Sequence, residues 1–94
     1  MRRRVVITGF GTINSLSSDL ETFWKKICEG QSGIVTIKSF DTTEYKVKFG
    51  GEVQDFDPEK YIDPREAKRL DRFAAFALAA AVVAVRDSGI DFSK

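Results

Sequence analysis

The most informative feature of this 94-residue chain is that it contains no histidine. A Ser-His or Cys-His catalytic pair, or a histidine metal site, therefore cannot be assembled from this chain alone. Cys28 is the single cysteine, which excludes an internal disulfide and a cysteine-rich metal site. A lone thiol suits a reducing, cytoplasmic compartment. We expect this chain to bind no metal and no cofactor.

A strong net charge and a membrane-length apolar run are also lacking. The 15 basic and 14 acidic residues leave a net charge of +1, so no overall field favours nucleic acid or a membrane surface. The start MRRRVVITG lacks the apolar core of a signal peptide, and no segment reaches transmembrane length. At this length, at most one small domain can form.

The longest apolar run, residues 73–85 (FAAFALAAAVVAV), is the segment around which the chain is organised. A helix of this composition is apolar on every side and should be buried on every side. It would span about 20 Å, which is short of the roughly 30 Å of a membrane core. The other residues cannot supply that much cover. We therefore expect residues 1–94 to be the N-terminal portion of a larger unit and not a complete domain.

The N-terminal part predicts a strand, a loop and a helix. Residues 3–8 (RRVVIT) predict a short strand that is buried on both faces, as in a central sheet. Ser18 and Glu21 form an S-x-x-E capping box for a helix that runs to about Glu29 and is followed by Gly30. The apolar residues of this helix predict one buried face: Leu20, Phe23, Trp24, Ile27 and Cys28.

Extended pieces are predicted next, at residues 34–37 and 45–53. Gly50 and Gly51 suggest a bulge or a close approach of the backbone. A short helical turn is predicted to begin at Asp57.

The last helix has a strong start signal. Asp63 is predicted as its N-cap, followed by Pro64 at the first helical position and Glu66 at the third. The helical pattern continues to Ser88 and stops at Gly89, with room for one break in its charged first part.

Gly9-Phe10-Gly11 resembles the start of a dinucleotide-binding fingerprint. However, Asn14 replaces the third glycine, the helix begins late, and Asp41 lies farther along than the acidic residue of that fingerprint should. We therefore favour a tight exit from a strand that needs small residues, with dinucleotide binding as the alternative.

Cys28 is a candidate nucleophile only in principle. It lies on the predicted apolar face of its helix, and no histidine is available to activate it. A buried, inert thiol is the favoured interpretation.

Four basic residues give the sharpest local signal. Arg65, Lys68, Arg69 and Arg72 recur at i, i+3, i+4 and i+7, so they are predicted to project from one side of the long helix. They crowd its N-terminal half, where the helix dipole already presents partial positive charge. The pattern fits a docking surface for an acidic or phosphate-bearing partner. A solvated charged face is the alternative.

Taken together, the segments resemble the N-terminus of the β-ketoacyl-acyl-carrier-protein synthases, in particular the elongating type II enzymes of bacterial fatty-acid synthesis. The resemblance covers all 94 residues. It is carried jointly by VVITGFG, by GQSGI and by the alanine-rich helix that ends in DSGI. It departs from the family pattern at residues 12–18.

The resemblance implies an α/β, thiolase-like layered fold, of which residues 1–94 would be the N-terminal portion of the first half. It also implies a cytoplasmic homodimer with no cofactor and no nucleic-acid or membrane partner. Such enzymes condense an acyl chain, held on a cysteine, with malonyl-carrier protein and release carbon dioxide. In the family, the catalytic cysteine and two histidines lie beyond Lys94, so no catalytic residue is expected here and Cys28 does not match.

The same resemblance assigns a partner to the basic residues. Family members dock the acidic acyl carrier protein through basic residues at the start of this helix, and Arg65, Lys68 and Arg69 fall at the matching positions. Arg72 is grouped with these three residues only by its predicted position on the same helix face. An initiating synthase or a chain-length factor would be a close relative. A free-standing small α/β nucleotide-binding or interaction module remains the alternative from another class.

Overall fold

The structure, a computed structural model, describes residues 2–93. These residues form two compact units, one of residues 2–12 and 58–93 and the other of residues 13–57. None of the described helices is long and apolar enough to cross a membrane. The elements in chain order are α1 (Leu20–Cys28), β1 (Ile34–Thr36), β2 (Phe49–Gly51), a 3-10 turn (Pro58–Lys60), α2 (Pro64–Ala67) and α3 (Arg72–Ser88).

The N-cap of helix α1 is Asp19, one residue after the predicted cap. The Asp19 carboxylate accepts hydrogen bonds from the hydroxyl and the amide of Thr22, at 2.7 and 3.1 Å. These bonds stabilise the charged form and lower the pKa of Asp19. The predicted Ser18–Glu21 capping box is therefore wrong. The end of the helix is as predicted, because Gly30 has a φ of 74° and its amide donates to the Ile27 carbonyl.

The predicted buried face of α1 is only partly covered. Leu20 and Phe23 are half-buried, whereas Trp24 is 64% exposed and Ile27 and Cys28 are exposed as well. The prediction of a buried Cys28 is thus wrong for the described residues. Helical spacing places apolar side chains on one face, but it does not supply the residues that cover them.

The two strands form an antiparallel hairpin in the unit of residues 13–57. Ile37 extends the pairing, since its amide donates to the Lys48 carbonyl at 2.9 Å. A Cβ added to Gly51 would lie 3.3 Å from the Ser15 hydroxyl, so the predicted close approach of the backbone is confirmed. The alternative of a bulge is not observed, because the residues of the two strands pair one to one. The paired residues are Ile34 with Gly51, Val35 with Gly50 and Thr36 with Phe49.

The loop that follows β1 is stabilised by hydrogen bonds to the Glu52 carboxylate. Glu52 accepts hydrogen bonds from the amides of Lys38 and Ser39, both at 3.1 Å, and from the Ser39 hydroxyl. The Ser39 hydroxyl contributes most, followed by the two amides, and together they lower the pKa of Glu52 below its ordinary value of 4.5. The bonds hold the chain leaving β1 against the residue that follows β2.

The long C-terminal helix is interrupted once, as its sequence allowed. Asp57 precedes the 3-10 turn, which is also as predicted. The helical backbone stops after Ala67 and resumes at Arg72. Helix α3 then runs for 17 residues to Ser88 and ends at Gly89, which has a φ of 71°. A positive φ of this size is the usual reason for glycine at a helix end.

Helix α3 is covered on one side only. Ala75 and Ala79 lie one turn apart and are buried, Ala79 completely. The exposed stripe, as we name it, consists of Phe73, Ala77, Ala81 and Val85, each one turn from the last. Phe73 is 74% exposed. The prediction that this helix is buried all round is wrong for the described residues, which bury Ala75 and Ala79, half-bury Ala80 and Ala84, and leave the exposed stripe uncovered.

The predicted N-terminal strand does not form among residues 2–93. Residues 3–8 belong to no strand, because no described strand pairs with them. Val5 is 92% exposed, and Val6 and Ile7 are also exposed. A run of β-branched residues favours an extended backbone, but a strand requires a partner for its amides and carbonyls.

The Glu52 hydrogen bonds predict a pH-dependent contribution to stability. Because the pKa of Glu52 is lowered in the folded state, the bonds stabilise the fold above about pH 4.5. That contribution is lost as the pH falls through the folded-state pKa. We expect Glu52→Gln to lower the midpoint of urea unfolding at pH 7, with a difference from the parent that disappears in acid.

Glu44→Gln is the matched control, because the Glu44 carboxylate makes no hydrogen bond to another described residue. It should unfold like the parent at every pH. Equal effects of the two substitutions would show that the loop does not depend on Glu52.

Candidate functional site

The four basic residues do not share one helix. Arg65 lies in α2, Lys68 is the C-cap of α2, Arg69 lies in the following turn, and Arg72 is the first residue of α3. The prediction that all four project from one side of a continuous helix is therefore wrong, because i, i+3 and i+4 residues align only while the helix is unbroken. The break falls within the basic sequence itself.

Local hydrogen bonds build the turn that carries these residues. Asp63 caps α2, since its carboxylate accepts from the Arg65 amide at 2.9 Å. The Arg69 amide then donates to the Glu66 carbonyl at 3.0 Å, and the Leu70 amide to the Ala67 carbonyl at 3.3 Å. These bonds span three residues instead of four, a tightening common in the last turn of a helix.

The break changes the electrostatics of the basic residues. Lys68 lies at the C-terminal end of α2, where a cation interacts favourably with the helix dipole, although α2 is only four residues long. Arg72 and Arg65 lie at helix N-termini, where a cation is unfavourable: Arg72 is the first residue of α3, and Arg65 is the second residue of α2. The predicted crowding of four cations at one helix start is therefore reduced to one arginine at each of two helix starts.

Three of the four cations are available for binding. The side chains of Arg65, Lys68 and Arg69 are exposed and make no hydrogen bond, ion pair or ring contact with another described residue. We call these three residues the basic patch. Glu66 and Asp71 are exposed in the same stretch, so acidic side chains lie between the cations of the basic patch and Arg72 along the chain. Contact with an acidic partner would use individual side chains more than a broad positive field.

Arg72 behaves differently from the basic patch. Its guanidinium carbon lies 5.0 Å from the centre of the Phe76 ring, one turn further along α3. This is within the range of a cation–π contact. Sequence reasoning missed this pair, although the i, i+4 spacing of an arginine and a phenylalanine is a signal that could have found it.

The glycines of the Gly9-Phe10-Gly11 turn lie against the backbone of α3. A Cβ at Gly11 would clash with the Ala80 carbonyl oxygen and lie 2.9 Å from the Ala84 amide. A Cβ at Gly9 would clash with the Ala84 carbonyl oxygen. Between the two glycines, the Phe10 amide donates to the Asp87 carboxylate at 3.0 Å.

This packing argues against the dinucleotide-binding alternative. In that fingerprint, glycines bring the backbone close to a pyrophosphate at the start of a helix. Here both glycines are in contact with α3, and the next helix begins only at Leu20. The small residues therefore serve packing, as we favoured. No cluster of three or more potential metal ligands is present among residues 2–93.

Comparison with known proteins identifies the family. Residues 2–94 match the model of the beta-ketoacyl synthase, N-terminal domain. This chain belongs to that family, so the predicted family is confirmed and a free-standing nucleotide-binding module is not supported.

Relatives named 3-oxoacyl-[acyl-carrier-protein] synthase 2 match almost the whole chain. The Vibrio harveyi protein is 40% identical over 93 residues, which are 99% of this chain and 22% of the relative. The protein from Synechocystis sp. is 42% identical over 87 residues, or 93% of this chain and 21% of the relative. One from Staphylococcus aureus is 40% identical over 92 residues, or 98% and 22%. The chain thus spans about a fifth of the length of these relatives.

A solved structure agrees in fold. The ishigamide ketosynthase/chain length factor superposes with a TM-score of 0.89 and is 36% identical, over 99% of this chain and 23% of that one. The likeness confirms the predicted α/β, thiolase-like fold class.

The contact between Gly11 and α3 predicts a sensitive position. In the complete protein, we expect Gly11→Ala to lower the free energy of unfolding by about 1–3 kcal/mol, because backbone atoms of Ala80 and Ala84 occupy the space of the new methyl group. Urea denaturation would measure this loss.

Gly50→Ala is the matched control, since its Cβ would lie 3.6 Å from Ile37 Cδ1 in ordinary van der Waals contact. It should stay within about 0.5 kcal/mol of the parent. A Gly11→Ala protein as stable as the Gly50→Ala protein would contradict the close contact with α3.

Proposed function

We propose that this chain is the N-terminal segment of an elongating 3-oxoacyl-[acyl-carrier-protein] synthase. The supporting observation is the match to relatives of that name at about 40% identity over nearly the whole chain. The enzyme would extend a fatty acyl chain by decarboxylative Claisen condensation with malonyl-carrier protein. The acyl group would be held as a thioester on a cysteine, and loss of carbon dioxide would generate the carbon nucleophile that attacks it.

The chemistry itself belongs to parts of the enzyme beyond Lys94. The chain has no histidine, so it cannot supply the two histidines that stabilise the enolate-like transition state in this family. Cys28 is exposed at the end of α1 and does not match the catalytic cysteine. The contribution of this segment is therefore structural support and recognition of the carrier protein.

The basic patch is the proposed docking site for acyl carrier protein. Arg65, Lys68 and Arg69 match the docking positions of the family, and their charged groups have no partner among the described residues. An acidic carrier protein would pair with them during association. Charges at the rim of an interface mainly accelerate encounter and select the partner.

We also propose that residues 1–94 are the N-terminal portion of the first thiolase-like half and not a complete domain. Support comes from the exposed stripe on α3 and from the unpaired residues 3–8. A surface of this kind normally lies against other protein. By the same family resemblance, the complete enzyme would be a cytoplasmic homodimer.

A chain-length factor is a second assignment within the same family, favoured by the likeness to the solved ishigamide ketosynthase/chain length factor. Formation of an acyl-enzyme distinguishes a synthase from a chain-length factor. A synthase that contains this segment should form a covalent acyl-enzyme when given acyl-carrier protein, whereas a protein without the catalytic cysteine would not.

The incomplete-domain proposal predicts the behaviour of the 94-residue polypeptide by itself. Because the exposed stripe and residues 3–8 would face water, we expect it to self-associate or to unfold without a sharp transition. Sedimentation at several concentrations, together with thermal unfolding, would measure this. A monomer with a sharp, concentration-independent melt would contradict the proposal.

The docking proposal predicts a substrate-dependent defect. In the complete enzyme, we expect the triple variant Arg65→Glu, Lys68→Glu, Arg69→Glu to lower kcat/KM for carrier-bound substrates roughly tenfold or more, because association slows. Activity on small thioesters should be spared, and the defect should shrink at high salt. Steady-state kinetics at several salt concentrations would test both points.

A variant with the same change in net charge provides the control. Lys25, Lys46 and Lys48 are exposed lysines in the other unit, and their replacement by glutamate should leave carrier-dependent kinetics nearly unchanged. Equal loss on both kinds of substrate in the patch variant would mean that the patch is structural.

A further inference from the structure

Arg72 is the one basic residue of the 63–72 stretch with an internal contact of its charged group. Its guanidinium lies over the Phe76 ring at 5.0 Å, whereas the three side chains of the basic patch contact no other described residue. The partner is one turn further along α3, so the side chain extends along α3 and away from the turn of residues 68–71. This direction separates Arg72 from the basic patch.

Arg72 lies at a helix end where a cation is unfavourable. It is the first residue of α3, and no acidic residue lies in the first turn of that helix. The N-cap, Asp71, makes no side-chain hydrogen bond to the helix start. The negative face of the Phe76 ring offsets part of the cost of a cation at this helix end.

Phe76 connects this contact to the interior of its unit. It is half-buried and follows the buried residue Ala75. A cation held over a ring that is itself packed has less freedom than an exposed side chain. The stack therefore ties the side chain in the first turn of α3 to a ring that is itself half-buried.

We propose that Arg72 is a positioning residue for the basic patch and not a contact of the carrier protein. The turn of residues 68–71 is held at one end by α2 and at the other by the start of α3. By fixing that start, the Arg72–Phe76 stack sets the direction in which Lys68 and Arg69 project. The inference rests on the proposed function of the basic patch.

The test uses the complete enzyme and four variants. Arg72→Gln removes the cation, Phe76→Leu removes the ring without changing charge, and a third variant combines both. Arg69→Gln serves as the reference for a direct contact. For each variant, KM and kcat are measured with malonyl-carrier protein at several salt concentrations and with a small malonyl thioester.

We expect Arg72→Gln and Phe76→Leu each to raise KM for the carrier-bound substrate roughly 2- to 5-fold, the factor that corresponds to an exposed cation–π contact. Kinetics with the small thioester should not change. The double variant should be no worse than either single one, because both remove the same interaction. The salt dependence of KM should match the parent for these variants and should weaken for Arg69→Gln.

Two results would overturn the inference while leaving the docking proposal intact. If Arg72→Gln weakens the salt dependence as Arg69→Gln does, and Phe76→Leu does not, then Arg72 contacts the carrier protein directly. If both substitutions lower only the thermal midpoint and leave KM unchanged, their role is structural. If instead Arg69→Gln changes neither KM nor its salt dependence, the basic patch is not the dock and the proposed function of the site fails first.

Discussion

The contact of Gly9 and Gly11 with α3 is the constraint on which the unit of residues 2–12 and 58–93 depends. Gly9 and Gly11 approach the carbonyls of Ala84 and Ala80 more closely than any side chain would allow. The Phe10 amide, between them, is satisfied by Asp87. Together these contacts join the start of the chain to the last helix, and they explain why small residues occur on both partners. The buried residues among those described are Ile62, Ala75 and Ala79, and all three belong to the same unit.

The break between α2 and α3 organises the candidate site. A continuous helix would hold like charges at i, i+3 and i+4, which is unfavourable. Instead, the turn separates Lys68, at a helix C-terminal end, from Arg72, at a helix start. Four cations that look equivalent in sequence thus divide into three that have no partner among residues 2–93 and one that lies over the Phe76 ring.

Local signals in the sequence predicted the helices and turns well. The Asp63 cap, the stop at Gly89 and the turn at Gly30 depend on a few neighbouring atoms, so the residue types suffice to place them. Burial and strand formation could not be predicted in this way, because they depend on distant partners. Val5 and Trp24 are of residue types that are usually buried, yet both are exposed among the described residues. For the site, the sequence identified the basic residues, but their division depended on where the helix breaks.

The long separation in sequence between the glycine turn and α3 has a consequence for synthesis. Phe10 and Asp87 are 77 positions apart, so at about 5–20 residues per second the early segment emerges on the order of 10 s before its helix. During that time Gly9 and Gly11 lack their packing partner, and the neighbouring β-branched run Val5–Val6–Ile7 is exposed, as it also is among the described residues of the folded chain. An exposed run of this kind favours association of chains. Arg2, Arg3 and Arg4 directly precede this run. Charges that flank an apolar, β-prone segment act as gatekeepers against association, so these three arginines lower its tendency to pair with other chains.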